Sequence, residues 1–140
     1  MPFASHADLE ITEIMYDHEG TDSGFEWVEV TNTGSSAIEI GSWYFFEAET
    51  NHGLTPDGFD TLAPGARALI VQNLQNVYGE FGSSLKLVKA SFSLSNTGET
   101  LSMSNETKAI VSTVTYDGSI GAAGDGNSLQ TDRFCCSNKF

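Results

Sequence analysis

Short alternating runs, each closed by turn residues, recur along this chain from Leu9 to Gln130, and that recurrence most restricts its fold. Residues 9–16, 25–30, 35–40, 43–46, 66–71, 100–104 and 109–116 are rich in β-branched and aromatic side chains, which suits pleated, half-buried strands. Between them stand Asn32-Thr-Gly34, Pro56-Asp-Gly58, Leu62-Ala-Pro-Gly65, Asn96-Thr-Gly98 and Asn105-Glu-Thr-Lys108, all turn signals with a backbone reason behind them. About nine such runs with little helical period predict an all-β, two-sheet β-sandwich. At most one short helix is expected, around 73–81, where Leu74, Val77, Tyr78 and Phe81 follow helical spacing.

Strict alternation raises a question in the first two strands. If Leu9 and Ile11 face the core, Glu13 and Met15 share that face, unless a bulge switches the phase. In the second, Glu26, Val28 and Val30 share one face while Phe25, Trp27 and Glu29 share the other. Two carboxylates, Glu13 and Glu26, therefore stand in line with core positions. Trp43 suits the centre of the sandwich. Residues 47–60 read as a polar excursion holding one short strand, and 105–108 as a hairpin tip. In the return strand, Ile110, Ser112, Val114 and Tyr116 fall on one side.

Glu13-Ile-Met-Tyr16, Glu26-Trp-Val-Glu29 and Asn32-Thr-Gly34, in that order, resemble the opening of the lamin tail domain of bacterial and archaeal proteins. Ile40-Gly-Ser-Trp-Tyr-Phe45, the Leu62-Ala-Pro-Gly65 turn, Leu94-Ser-Asn-Thr-Gly-Glu99 and the segment 125–130 are similar to later motifs of that family. The resemblance implies an immunoglobulin-like two-sheet β-sandwich over 9–131, with 1–8 a ragged start and 132–140 a tail. It also implies a non-catalytic structural, adhesion or protein-interaction module, secreted or on a prokaryotic cell surface.

The formal net charge is −13, and its distribution is lopsided. All six basic residues (Arg67, Lys86, Lys89, Lys108, Arg133 and Lys139) follow position 66, whereas thirteen of the nineteen acids precede it. Nucleic acid and anionic lipid need basic surface to release counterions, so neither is expected as a direct partner. A protein partner or self-association through open sheet edges is expected instead. No run of apolar residues is long enough to span a membrane. The two cysteines, Cys135 and Cys136, are adjacent and cannot join distant elements.

The chain lacks the Gly-x-Ser-x-Gly elbow, the phosphate-binding Gly-x-x-x-x-Gly-Lys and the His-Glu-x-x-His pair, so it is not expected to be an enzyme. Glu13 and Glu26 as a catalytic carboxylate pair rank below a plainer reading, in which each accepts backbone N–H bonds and pins a loop. No cofactor is expected, apart from Ca2+ as the alternative: Glu13, Asp17, Asp22 and Glu26 bracket an acidic loop of the kind hard cations use. Phe25 and Trp27, beside those acids, are the candidate binding surface.

Overall fold

One extra residue in the first strand decides which side chains enter the core. In a computed structural model, which describes residues 8–20, 24–117, 119 and 128–130, β1 (Leu9–Met15) pairs antiparallel with β2 (Trp27–Asn32), and the register slips between Ile11 and Glu13. Of the two outcomes the alternation left open, a phase-switching bulge or an inward Glu13, the structure has the bulge. Leu9, Ile11, Ile14 and Tyr16 all enter the main core, while Glu13 lies across from Glu29 and Met15 from Trp27 on the outer face.

The chain continues through β3 (Ile38–Glu39), a 3-10 turn at Ile40–Ser42, β4 (Tyr44–Glu47), β5 (Thr50–Gly53), β6 (Thr55–Pro56), β7 (Thr61–Leu62) and β8 (Arg67–Val71). Then follow the helix α1 (Leu74–Phe81), β9 (Leu87–Lys89), β10 (Gly98–Ser104), β11 (Ile110–Asp117) and β12 (Leu129–Gln130). A six-stranded sheet runs in the order β12-β1-β2-β8-β9-β6, a four-stranded sheet in the order β11-β10-β4-β5, and β3 pairs with β7. The architecture is the expected all-β, immunoglobulin-like sandwich with one short helix. Its core includes Val28, Val30, Phe45, Ile70, Leu101 and Met103. Trp43, 2% exposed, sits among them.

The Asn-Thr-Gly turn after β2 earns its composition from bonding. Asn32 is fully buried, yet its Nδ2 donates to the carbonyls of Ser36 and Leu62 and its Oδ1 accepts from Gly34 N. Every polar atom of that amide is thus satisfied, which is the condition for burying it. At Gly98, with φ +134°, a Cβ would stand 2.6 Å from the carbonyl oxygen of Tyr116, so only glycine lets β10 and β11 approach there.

Two details depart from the alternation. Residues 47–60 hold two short strands in different sheets, because β4 and β5 are joined by a two-residue turn in which Ala48 and Glu49 both have positive φ. Such turns usually carry Asn or Gly, so the hairpin had no sequence signature. Ile110 is 58% exposed. A register shift between Met103 and Ser104 makes Val111 the extra residue and turns Ile110 away from Ser112, Val114 and Tyr116.

Candidate functional site: an outer groove and a buried acid cluster

Strands β8 and β9 are parallel neighbours, and α1 is the crossover between them. Parallel pairing demands such a connection, and this one drops α1 onto the outer face of the larger sheet. Asn73 caps the helix by accepting from Asn76 N, and Gly82, at φ +90°, ends it. Val77 packs with Met15, Trp27, Val71 and Leu87 into a second apolar cluster.

Eight residues of helix cover only part of that face. The uncovered part is a groove of about 360 Å³ lined by Trp27, Leu69, Phe81 and Leu85, with the charged side chains of Glu13, Glu29, Arg67 and Lys86 also in its lining. Phe81, 45% exposed, stands edge-on to the Trp27 ring at 6.2 Å. Trp27 itself is 6% exposed, and its indole N–H has no hydrogen-bond partner among the described residues. Glu29 accepts from Thr12 Oγ1 at 2.7 Å and faces Arg67 Nη1 at 3.8 Å.

The expected exposed pair, Phe25 and Trp27, is therefore corrected. Trp27 is roofed by Phe81, and Phe25 is half-buried, stacked on His18 at 4.8 Å. His18 Nε2 in turn meets the Glu80 carboxylate at 3.0 Å, tying the loop after β1 to the end of α1. Sequence reasoning placed Trp27 on the outer face but not the helix above it.

On the inner face, Glu26 is 3% exposed. Its Oε1 accepts from Leu94 N and from Gln72 Nε2, both at 3.0 Å. Gln72 Nε2 also donates to the Phe92 carbonyl, and its Oε1 accepts from Gly24 N and Glu26 N. The loop-pinning reading of Glu26 thus has its geometry: the carboxylate and one amide hold the segment that crosses from β9 to β10.

A second set of acids grips the same segment from the smaller sheet. Glu99 Oε1 accepts from Ser95 N at 2.6 Å, and the Tyr116 hydroxyl donates to the Ser95 carbonyl at 2.6 Å. Glu47 Oε2 lies 2.6 Å from His52 Nε2, and the Glu47 charge bears on Glu99. Burial, and to a lesser degree the Glu47 charge, hold the Glu99 carboxyl above its ordinary range against the opposing pull of the Ser95 N–H. Burial first, then the Glu99 and Glu26 charges, push the Tyr116 phenol up.

The four residues expected around a cation do not assemble. Glu13 lies on the outer face, where it accepts from Ser128 Oγ; Glu26 lies on the inner face; Asp17 is half-buried after β1; and Asp22 lies outside the described residues. A sheet separates Glu13 from Glu26, so these two carboxylates do not share one site. Among the described residues, no group of three or more His, Cys, Asp or Glu is arranged to hold a metal. Glu47, His52 and Gln72 were missed because nothing local marks their meeting. Glu99 was visible as the last residue of the Leu94-Ser-Asn-Thr-Gly-Glu99 motif, without its role.

The family model described as Lamin Tail Domain matches residues 2–118. No curated protein matches the chain.

Proposed function

The chain belongs to the lamin tail domain family, and on that premise we propose that it is a non-catalytic interaction module that docks a short extended segment of a protein partner in the groove beside α1. The observation that carries this reading is the half-covered outer face, where Phe81 is exposed over a sheet position as apolar as the core. The floor suits one or two apolar side chains, and the volume falls in the range of small binding clefts. Its lining carries both signs of charge, which fits a mixed-charge peptide and not a polyanion. A secreted or cell-surface setting, as the resemblance implies, would expose this groove to other proteins.

The test is a titration of the full chain with a panel of short mixed-charge peptides, read at the two tryptophan indole N–H signals by NMR. The Trp27 signal is expected to shift saturably, the Trp43 signal to stay fixed, and Phe81→Ser to abolish the shift. A Trp27 signal that ignores every peptide, or a shift that survives Phe81→Ser, sinks the reading. A shift that grows with protein concentration alone would assign the groove to a second copy of the chain.

A further inference from the structure

We propose that Asn105 is an N-glycan acceptor, taking an oligosaccharide from a lipid-pyrophosphate donor when the chain is exported, and that the first sugar covers Ile110. Of the eight asparagines, Asn105 alone stands in an Asn-x-Thr triplet, Asn105-Glu-Thr107, which is what oligosaccharide transferases read. The exported setting is the one the family resemblance implies. The groove beside α1 is not involved, since none of its lining residues belongs to the smaller sheet.

A glycan is bulky and solvated, so the fold must leave its acceptor at the surface. The triplet begins the tip between β10 and β11, and residues 106–110 are all exposed. Asn105 Oδ1 is turned into the tip, accepting from Thr107 N at 3.0 Å, Thr107 Oγ1 at 2.8 Å and Ala109 N at 3.0 Å. That leaves Nδ2, the reacting atom, with no hydrogen-bond partner among the described residues. Asn32 is the contrast: it is fully buried, its Nδ2 donates twice, and its triplet ends in Gly34.

Ile110 is the second observation. It is 58% exposed and lies opposite Ser104, the residue before Asn105. A large apolar side chain open to water so near the acceptor gives the C–H face of a pyranose a surface to rest on.

The step balances without oxidant or reductant. Nδ2 attacks the anomeric carbon of the donor sugar, and the C–N bond forms as the bond from that carbon to the pyrophosphate oxygen breaks. Pyrophosphate leaves with the bonding pair, and the amide nitrogen gives one proton to a base of the transferase.

The full chain is made twice, in a bacterial cytosol without the transferase and through the secretory route of a eukaryotic cell that has it. Mass spectrometry of the secreted chain is expected to find a glycan on Asn105. Thr107→Ser should keep it, and Thr107→Val, the same shape without the hydroxyl, should lose it. Trimmed to its first sugar by an endoglycosidase, the secreted chain should melt about 2 °C above the cytosolic one, both under reducing conditions. Ile110→Ser should remove that gap without changing occupancy. A secreted chain unmodified at Asn105, or a glycan that survives Thr107→Val, overturns the acceptor. Equal Tm for the trimmed and cytosolic chains, or a gap that survives Ile110→Ser, overturns the contact with Ile110.

Discussion

The two faces of the larger sheet are both apolar, yet they are finished differently. On the inner face the second sheet covers Val28, Val30 and Ile70 completely, and the buried Glu26 has its Oε1 occupied by two donors. On the outer face a helix of eight residues covers Trp27 and Val71 but leaves Phe81 exposed and an indole N–H without a partner. A face closed to this degree serves architecture. The unfinished one has room for a partner.

That contrast can be broken by measurement. Trp43→Ala, at the centre of the inner core, should cost about 3–5 kcal/mol in denaturant unfolding and leave little folded protein at ambient temperature. Next, Glu26→Ala strands Leu94 N and a Gln72 hydrogen in a buried place, at about 1–3 kcal/mol for each orphaned group. Protection of the Leu94 amide should fall with it. A loss below about 1 kcal/mol would mean that water replaces the carboxylate and that the inner face is less closed than described.

Smaller effects sharpen the outer side. Glu49→Gly, at a positive-φ position of the β4–β5 turn, should stabilise the domain by about 1 kcal/mol by relieving left-handed strain, a rise readable as a shift in Tm. Trp27→Phe should change stability by less than about 1 kcal/mol, since the buried donor it removes has no partner to lose. Phe81→Ser should cost about 1 kcal/mol, the worth of its edge-on contact with Trp27. If Phe81→Ser is as costly as Glu26→Ala, the helix is part of the core and the groove is not a spare surface.

Much of this was legible in the residues. The helix at Leu74–Phe81 follows from the spacing of four apolar side chains. The Asn105–Lys108 tip appears where its turn residues stand, with Lys108 N donating to the Asn105 carbonyl. The bulge near Thr12 was one of the two outcomes that the phase of β1 left open. The placement of Ile110 was not legible, because its bulge depends on how β11 meets β10. Nor was Trp27, because alternation tells which face a side chain takes and not what lies above it.

By itself, the order of apolar, polar and turn residues determined most of the longer strands, the helix at Leu74–Phe81 and the burial of Trp43, because periodicity and turn chemistry act over a few neighbouring positions. Tertiary structure alone decided that Glu26 points inward to Leu94 while Glu13 points outward, and that Glu47, His52, Glu99 and Tyr116 meet at one end. Those partners stand up to 69 positions apart, between Glu47 and Tyr116. No local pattern carries such a meeting; it exists only once the two sheets close on each other and the low-dielectric space between them makes every unpaired charge costly.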